Sequence, residues 1–342
     1  MAASWAETFP PAPGWTEKDM EDQTGRVFLI TGGSSGIGFE TAKILYHLNG
    51  TVYITSRSAS SAEAAVQSIL SFTPHASQVG KSARGTLKYL ILNLSDLSTI
   101  KSSATTLLKE VNRLDVVWHN AGVMIPNDPH ILTAQGYHQQ LGINSLAPFL
   151  FQHFLTPLML ATASLPSTEP NSVRVIWVSS SGHRASPMPD GVSWDNVNLE
   201  NGKTGMRMNI ERYGQSKAMI VIQAHEFARL YHAYGKGVVS LSLHPGALST
   251  GLQKNAPRWF NTIFSVLRRE PRFGALTELF AGIRPLEKGK EQMLEDGGWN
   301  GGYILPFGVF GAGSKDVFDG ILYRETGPRL WALCVELVKD FL

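Results

Sequence analysis

The sequence predicts a doubly wound α/β fold, in which a parallel sheet of about seven strands carries helices on both faces. The predicted strands are apolar along their whole length, as strands buried on both faces of a sheet are. A helix-length segment separates successive strands. Because parallel strands joined by helices need right-handed crossovers, a doubly wound sheet is the simplest topology.

The first half of the chain supplies four of these strands. Short runs rich in Val, Ile, Leu and aromatic residues have the composition of buried strands, and the segments between them repeat apolar residues at helical spacing. Predicted strands lie at 26–31, 51–56, 86–92 and 114–119, and predicted helices at 36–48, 61–72 and 98–111.

The second half continues the alternation with longer helices. Predicted strands lie at 172–179, 237–243 and 303–305, and predicted helices at 135–163, 211–234 and 328–341. No linker or internal repeat divides the chain, so residues 26–342 are predicted to form a single Rossmann-type domain. Residues 1–25, rich in proline, tryptophan and acidic side chains, are predicted to form an arm on its surface.

Composition argues against several classes of protein. A net charge of +2 with 17% charged residues provides no concentrated basic face for nucleic acid. The ten histidines are scattered and the single cysteine, Cys334, has no partner for a disulfide or a paired metal motif, so no metal site is predicted. One unpaired cysteine is typical of a reducing compartment, and the expected location is the cytoplasm.

No integral membrane segment is predicted. The N-terminus lacks a basic region followed by an apolar stretch, and no uninterrupted apolar run reaches the ~18 residues that a span needs. The most apolar segment, 149–163, contains Gln152, His153 and Pro157 and is predicted to be a buried helix. Segment 257–269 mixes basic and apolar residues, which leaves two interpretations: a helix peripheral to a membrane, or a substrate-loop helix packed inward.

A glycine-rich stretch lies between the first strand and the first helix. Residues 31–38 read TGGSSGIG, and glycines let a phosphate approach the main chain. The free N–H groups and the positive end of the following helix favour a pyrophosphate. A tight turn without a ligand is the alternative, but the place of this stretch between strand and helix favours a dinucleotide.

Tyr213 and Lys217 form a Y-x-x-x-K pattern. Side chains four residues apart on a helix lie on one face, so the phenol and the ammonium are predicted neighbours. A nearby cation favours the phenolate, so the pKa of Tyr213 is expected to fall toward neutrality, where the phenol can donate or accept a proton.

These motifs resemble, in order, those of the short-chain dehydrogenase/reductase family over about residues 25–250. The family's T-G-x-x-x-G-x-G, Asn-Asn-Ala-Gly, strand-end serines, Y-x-x-x-K and P-G-x-x-x-T match residues 31–38, 119–122, 179–181, 213–217 and 245–250, with His119 in place of the first asparagine.

The spacing of the motifs is similar to one branch of that family. Ser180 and Tyr213 lie 33 positions apart, and a Ser-Gly-His follows Ser180, as in the retinol dehydrogenase, WW-domain oxidoreductase and protochlorophyllide reductase branch. Segments 22–26 and 301–308 are similar to fungal members of that branch.

The resemblance implies an oxidoreductase that transfers a hydride between NADP(H) and a carbonyl or alcohol carbon. Tyr213 is implied as the proton donor or acceptor, Lys217 as its support and Ser180 as the hydroxyl that binds the carbonyl oxygen. Ser179 and Ser181 stay open as alternatives. Asn144 matches the family's helix asparagine, which holds a water leading to the lysine, and a helix-interior Asn bonded to a backbone carbonyl is the alternative.

The resemblance also implies cofactor-binding residues at the carboxyl ends of the strands. Arg57 ends the second strand and indicates the 2′-phosphate of NADP(H), because an acid there would select the unphosphorylated cofactor; a solvated surface arginine is the alternative. Asn93 stands where relatives have an Asp beside the adenine, and Asp96 is its rival, while His119 is assigned a structural role. The implied set is Gly32, Ser34, Ser35, Gly36, Ile37, Gly38, Arg57, Asn93, Leu94, Asn120, Ala121, Gly122, Tyr213, Lys217, Pro245, Gly246, Leu248 and Thr250.

Substrate choice is predicted to lie in the stretches 183–208 and 251–275, the second within a substrate-loop region at about 246–300. Their large apolar side chains predict a ketone, aldehyde or alcohol with a bulky apolar body, and the alternative is that they seal the core or a subunit contact. These side chains are His183, Met188, Trp194, Met206, Met208, Leu252, Trp259, Phe260 and Phe264.

Three further expectations follow from the resemblance. The fungal branch implies a role in secondary metabolite biosynthesis, and a homodimer or homotetramer is the expected assembly. A nucleotide-binding regulator without activity is the alternative function on the same fold. The presence of Ser180, Tyr213 and Lys217 together favours the enzyme.

Overall fold

The computed structural model describes residues 10–72, 85–124, 131–200, 205–231, 237–248, 269–286, 293 and 298–342. Within them, eight strands form one sheet in the order β3-β2-β1-β4-β5-β6-β7-β8. These strands are β1 (Val27–Ile30), β2 (Thr51–Ser56), β3 (Thr86–Ile91), β4 (Val116–His119), β5 (Arg174–Val178), β6 (Val239–Leu243), β7 (Tyr303–Leu305) and β8 (Val309–Gly311).

All neighbouring pairs from β3 to β7 are parallel, and β8 is antiparallel to β7. The helices are α1 (Gly36–His47), α2 (Ala59–Ser71), α3 (Ile100–Glu110), α4 (Gln139–Ala163), α5 (Met206–Tyr231), α6 (Pro271–Ile283), α7 (Lys315–Tyr323) and α8 (Thr326–Val338). The predicted doubly wound α/β class is confirmed.

Side chains of successive strand residues enter two separate cores, one on each face of the sheet. Leu29 belongs to the core shared with α3, α4, α5 and α8, whereas Phe28 and Ile30 belong to the core shared with α1, α2 and α6. Trp177 and Trp118 are fully buried on these two opposite faces. Burial on both faces explains why the central strands β1, β2, β4, β5 and β6 are apolar without alternation, whereas most of edge strand β3 is exposed.

The strand order reverses between β2 and β4, because β1 pairs with both of them. In an open α/β sheet, this reversal leaves a crevice at the carboxyl ends of the strands, and ligands bind there. The loops that follow β1, β4 and β5 all begin at that edge.

Helix α4 contains a π-helical turn over Gly142–Leu146. By length and composition the helix could cross a membrane, but 61% of its apolar window is buried inside the protein. Its apolar side chains Phe149, Leu150 and Leu155 lie in the core with α3 and α5. The burial agrees with the core helix predicted from the sequence.

Three elements were not predicted: β8, α6 and α7. Helix α6 begins inside the stretch expected to be irregular, and its glycines hid it from a reading based on helix propensity. Gly282 packs against the indole of Trp118, where an added Cβ would lie 2.1 Å from Cζ2. The Arg174 guanidinium binds the carbonyl oxygens of Ala281 and Arg284, both at 2.8 Å, at the end of α6. Tertiary contacts therefore stabilise this helix.

Helix α8 covers α4 and α5. The Trp331 ring lies 4.8 Å from the Phe149 ring and 6.3 Å from the Phe227 ring, measured between centroids. Leu330 and Cys334, on the same helix, are fully buried.

The described part of the N-terminal arm, residues 10–25, contacts α6. The Trp15 ring lies 6.1 Å from Phe280, edge to face, and the Arg272 guanidinium binds both oxygens of Glu17 at 2.8 Å.

Candidate active site

The glycine-rich loop after β1 is held against β2 and β4. The Gly32 N–H donates to Thr55 Oγ1 at 3.2 Å, and the Ala121 N–H donates to Thr31 Oγ1 at 3.0 Å. The Asn120 amide donates to the Thr31 carbonyl at 2.8 Å. Gly32 has a φ of +68°, a conformation that favours glycine. The loop is therefore shaped by its neighbours.

The first turn of α1 leaves room for an anion. Gly36 begins the helix with a φ of +63°, and the N-cap residue Ser35 makes no side-chain capping bond. No acidic residue lies in the first turn, so the positive end of the helix is not neutralised there. Backbone N–H groups in this setting bind a pyrophosphate well. The arrangement fits the dinucleotide predicted from the sequence.

Arg57 follows β2 with its side chain exposed, and within the described ranges no hydrogen bond or ion pair engages its guanidinium. Asn93 Oδ1 accepts from the N–H and the hydroxyl of Ser95, at 3.1 and 2.7 Å. Asp96 accepts from the Ser98 N–H at 3.0 Å and from the Gln135 amide at 2.8 Å. Asp96 is thus a helix cap, whereas the amide nitrogen of Asn93 stays available at this edge. Asn93 is the better candidate of the two for the adenine.

The β4 loop carries Asn120, Ala121 and Gly122 into the crevice. Gly122 is packed so closely that an added Cβ would lie 3.1 Å from Lys217 Nζ and 3.3 Å from Asn144 Oδ1. His119 points elsewhere: its Nε2 lies 3.0 Å from Gln152 Oε1 and its ring stacks on Trp177 at 4.6 Å. Complete burial lowers the pKa of His119 to about 4. The predicted structural role of His119 agrees with this placement.

Tyr213 and Lys217 lie on one face of α5, with Lys217 Nζ 5.9 Å from the centre of the phenol ring. The ammonium donates to the Val178 carbonyl at 2.9 Å, at the end of β5. Burial lowers the pKa of Lys217 to about 8. The pair is therefore fixed where β5 ends, although no carboxylate accompanies the buried cation among its described contacts.

The pKa of Tyr213 differs from the expectation. Burial raises the pKa of the phenol, and a hydrogen bond from the Ser180 hydroxyl lowers it by less. The neighbouring lysine does not reverse the effect in this structure, because Nζ faces the ring and the Val178 carbonyl and does not contact the phenol oxygen. The direction is therefore opposite to the expected fall toward neutrality, and the phenol is protonated at neutral pH.

The structure distinguishes the serines that follow β5. Ser179 is buried and its hydroxyl donates to the Lys217 carbonyl at 2.8 Å. Ser180 is half-buried, contacts Tyr213 and accepts from the Gly182 N–H at 3.1 Å. Gly182 lies under the phenol, where an added Cβ would be 2.8 Å from Tyr213 Cε1. Ser180 is thus the serine placed beside Tyr213, as the sequence predicted.

Asn144 lies within the π-helical turn of α4 and holds the β4 loop. Its Oδ1 accepts from the Val123 N–H at 2.7 Å, while its amide donates to the Val123 carbonyl and to Ser216 Oγ, both at 3.0 Å. Turns of this kind occur often at functional sites. The bond to the Val123 carbonyl agrees with the alternative of an Asn bonded to a backbone carbonyl, and Asn144 joins the β4 loop to α5. The predicted water leading to the lysine stays a prediction.

The loop after β6 is described as far as Leu248. Pro245 and Leu248 are buried, and Gly246 has a φ of +105°. The Ala247 carbonyl accepts from the Arg269 N–H at 3.0 Å, which ties this loop to the start of α6. Thr250 lies outside the described residues, so its predicted contact stays a prediction.

The stretch 183–208 is described except for residues 201–204. His183 and Met208 are buried in the interior, and Trp194 is half-buried under the Arg329 guanidinium at 4.1 Å. Met188 is 74% exposed, and Met206 is also exposed. The positions of His183, Trp194 and Met208 agree with the alternative that these side chains seal the domain, whereas those of Met188 and Met206 do not. The residues Leu252, Trp259, Phe260 and Phe264, like most of segment 257–269, lie outside the described residues.

Three residues with a part in this site were missed by the sequence reasoning: Thr31, Thr55 and Gly182. His183 was named, but as a side chain that selects the substrate. Thr31 directly follows β1 and Thr55 is the second-last residue of β2, so their position near strand ends was the available signal. The contacts of Gly182 with Tyr213 and of His183 with Ser314 are long-range and leave no local pattern. In the described ranges, no group of three or more His, Cys, Asp or Glu side chains is arranged to hold a metal ion.

Comparisons with known proteins point to one family. The profile of the short chain dehydrogenase family matches residues 26–188. A short-chain dehydrogenase/reductase of Emericella nidulans, pkfC, is 37% identical over 330 residues, covering 96% of this chain and 98% of that protein. A short-chain dehydrogenase/reductase of Phomopsis amygdali is 37% identical over 348 residues, covering 99% of this chain and 97% of that protein.

Solved structures show the same architecture. An uncharacterized protein of Mycobacterium paratuberculosis has a TM-score of 0.66 at 25% identity, covering 95% of this chain and 98% of that one. RhlG of Pseudomonas aeruginosa in complex with NADP has a TM-score of 0.54 at 22% identity, covering 74% and 87%. A 3-ketoacyl-(acyl-carrier-protein) reductase of Brucella melitensis in complex with NADH also has a TM-score of 0.54, at 19% identity, covering 75% and 90%.

Proposed function

This chain belongs to the short-chain dehydrogenase/reductase family, and from that premise we propose that it is an NADP(H)-dependent oxidoreductase acting on a carbonyl or alcohol group of an apolar small molecule. One observation carries the proposal: Ser180, Tyr213 and Lys217 meet at the end of β5, across the crevice from the glycine-rich loop. The full-length similarity to fungal relatives supports a role in a fungal biosynthetic pathway, and we place the enzyme in the cytoplasm.

The proposed roles follow from the contacts of each side chain. The Gly182 N–H occupies a lone pair of Ser180 Oγ, and the Ser180 hydroxyl, which bonds Tyr213 in this structure, can turn its proton toward a substrate oxygen. Tyr213, protonated at neutral pH, can give a proton to that oxygen as negative charge develops on it. Lys217, charged below about pH 8, stabilises the phenolate that remains.

The residues present fit a nicotinamide dinucleotide. The uncapped first turn of α1 would hold the pyrophosphate, the Asn93 amide would face the adenine, and the loop at Pro245–Leu248 would border the nicotinamide. The nicotinamide supplies or accepts the hydride when bound. Because Gly122 has no Cβ, Lys217 Nζ can lie directly beneath the β4 loop, next to the groove proposed for the cofactor.

Arg57 supports NADP(H) over NAD(H). Its guanidinium is exposed at the end of β2 with no partner among the described residues, and no acid replaces it there. A 2′-phosphate can form a charge-assisted, bidentate contact with such a group, whereas a ribose hydroxyl cannot.

The cofactor proposal is tested by steady-state kinetics with both cofactors. We expect wild-type kcat/KM to favour NADPH, and Arg57→Asp to lower kcat/KM for NADPH about tenfold or more, through loss of at least one charge-assisted contact. Lys109→Asp is the control, since Lys109 is an exposed basic residue in the last turn of α3, away from the carboxyl end of β2. A preference for NADH that Arg57→Asp leaves unchanged would contradict the proposal.

The substrate proposal is tested with a panel at the nicotinamide absorbance. We expect acetophenone, tetralone and decanal to give higher kcat/KM than acetone, because binding an apolar body contributes free energy that a short ketone lacks. Trp259→Ala and Phe260→Ala should then change kcat/KM among the apolar substrates and leave the Kd for NADPH within a few-fold. Equal losses for every substrate would place selectivity elsewhere.

A further inference from the structure

His183 lies directly behind the proposed catalytic serine. It belongs to the 3₁₀ turn Ser181–Ala185 and is completely buried. The Ser180 carbonyl accepts two hydrogen bonds from this residue, one from the His183 N–H at 3.1 Å and one from the imidazole Nδ1 at 2.5 Å. The peptide that follows Ser180 is therefore held by both the backbone and the side chain of His183.

The other ring nitrogen binds a distant part of the chain. Nε2 lies 2.7 Å from the backbone nitrogen of Ser314, which directly precedes α7. Since a backbone N–H can only donate, Nε2 must be the acceptor and the proton must lie on Nδ1. Since the Ser180 carbonyl can only accept, this is also the tautomer that its bond requires. The two obligate partners therefore fix a neutral imidazole in one tautomer.

The surroundings of the ring allow little movement. Gly313 packs against it so closely that an added Cβ would lie 2.6 Å from Nε2. The Tyr303 ring of β7 lies 5.1 Å from the imidazole, centroid to centroid. The next residue, Arg184, binds the Ala312 carbonyl at 3.2 Å. The loop 312–314 thus grips the serine turn at two successive residues.

The 3₁₀ turn Ser181–Ala185 also fixes the position of the Ser180 hydroxyl. The Gly182 N–H donates to Ser180 Oγ at 3.1 Å, and the orientation of that N–H depends on the peptides that His183 holds. Ser180 Oγ contacts Tyr213, so an error in the turn would be passed to the serine–tyrosine pair. A displacement of about 1 Å at a reacting group can lower a rate by about 10²-fold.

We propose that His183 is a positioning residue that orients Ser180, and that it makes the geometry of the active site depend on the loop 312–314 between β8 and α7. The inference rests on the proposed function, because it takes Ser180 as the hydroxyl that binds the substrate oxygen. His183 contacts neither substrate nor cofactor and acts through the Ser180 carbonyl and the Gly182 N–H.

Three variants test the proposal by crystallography. The side-chain amide introduced by His183→Asn keeps an N–H near the position of Nδ1 and loses the acceptor for Ser314, whereas His183→Leu loses both. We expect the bond from the Gly182 N–H to Ser180 Oγ to persist in His183→Asn and to be lost in His183→Leu. Gly313→Ala, which displaces the ring without changing the serine turn itself, should resemble His183→Leu and serves if that variant does not fold. An unmoved Ser180 Oγ in both His183→Leu and Gly313→Ala would overturn the proposal.

Kinetics with NADPH and the best substrate of the panel separate positioning from stability. We expect His183→Leu to lower kcat about tenfold to a hundredfold, with KM and the NADPH Kd within a few-fold, and His183→Asn to restore most of kcat. In a double-mutant cycle, adding His183→Leu to Ser180→Ala should cost no further activity, because the group that His183 orients is already absent.

Two outcomes distinguish the inference from the function on which it rests. Full additivity in the cycle, or equal losses in His183→Asn and His183→Leu, would show that His183 only stabilises the fold. A wild-type kcat in Ser180→Ala would instead refute the proposed role of the serine, and the crystallographic comparison would still decide whether His183 sets its position.

Discussion

The two sides of the crevice are built differently. On the cofactor side, the glycine-rich loop and the β4 loop hold one another through short bonds between strand ends, such as Asn120 to the Thr31 carbonyl at 2.8 Å. On the catalytic side, the serine turn depends on His183 and Ser314, which lie 131 positions apart in sequence. The cofactor side is shaped by residues next to the strands. The catalytic side is shaped by residues that are far apart in the sequence and meet only in the fold.

This difference explains why the cofactor side has a recognisable sequence motif, whereas the residues that hold the serine turn are scattered through the sequence. Gly32 and Gly36 have positive φ angles, which favour glycine, so the shape of this loop leaves a glycine pattern in the sequence. The contacts of His183 with Ser314 and Gly313 depend on an imidazole ring and on a loop that the fold places against it. No local spacing records such a contact.

The largest expected effect is a loss of turnover from a change on the catalytic side alone. Tyr213→Phe removes the phenol oxygen that gives or takes the proton, and turnover should fall by about 10²–10⁴-fold. The Kd for NADPH should stay within a few-fold, because the ring still packs on Gly182. Steady-state kinetics and a fluorescence titration with NADPH measure the two quantities. Tyr231→Phe on the same helix is the matched control, and near wild-type turnover in Tyr213→Phe would refute the assignment of Tyr213 as the proton donor or acceptor.

A smaller effect breaks the cofactor side alone. In Gly38→Ala, the new Cβ would lie 2.5 Å from the Asn120 amide nitrogen and 3.0 Å from the Gly32 carbonyl. The glycine-rich loop must then move, and the Kd for NADPH should rise about tenfold, while kcat at saturating NADPH changes less. Gly14→Ala is the control, since an added Cβ meets nothing within 4 Å there. An unchanged Kd would mean that the loop does not bind the cofactor.

The smallest expected effect concerns the pH dependence of stability, at the contact between α1 and α6. Glu278 is completely buried, accepts from Thr41 Oγ1 at 2.6 Å, and burial raises its pKa from 4.5 to about 8. The folded chain therefore binds this proton over a pH range in which the unfolded chain has lost it, so stability falls as pH rises from about 4.5 to about 8.

Glu278→Gln should remove that loss, because the amide carries no charge at any pH. Thermal unfolding of both proteins from pH 4 to pH 9 measures it, with the Tm difference expected to grow in favour of Gln as the pH rises. Glu325→Gln, at an exposed position before α8, is the control. A constant Tm difference across this range would mean that Glu278 is not held protonated in the folded state.

The sheet could be predicted because each parallel strand carries its own apolar signal, and seven of the eight strands were placed. Strand β8 was missed because three residues of an antiparallel edge strand, half exposed, have no such signal. Helix α6 was missed because Gly274 and Gly282 look unfavourable for a helix, although they allow it to approach Leu248 and Trp118.

The site divides in the same way. Helix spacing predicted that Tyr213 and Lys217 are neighbours, and the family resemblance pointed to Ser180; the structure brings the three side chains together. The raised pKa of Tyr213 could not be predicted, because it depends on burial and on where Lys217 Nζ points. Nor could the sequence indicate that Met208 and Trp194 seal the domain, since apolar side chains look alike in a pocket and in a core.

The position of α8 also matters for how the chain is made. This helix covers apolar residues of α4 and α5, among them Phe149 and Phe227, yet it follows both helices in the sequence. During synthesis α4 and α5 therefore emerge before the helix that covers them, and exposed apolar surface of this kind is where nascent chains aggregate or recruit chaperones. Nascent chains that stall before α8 should therefore aggregate more readily than chains that include it.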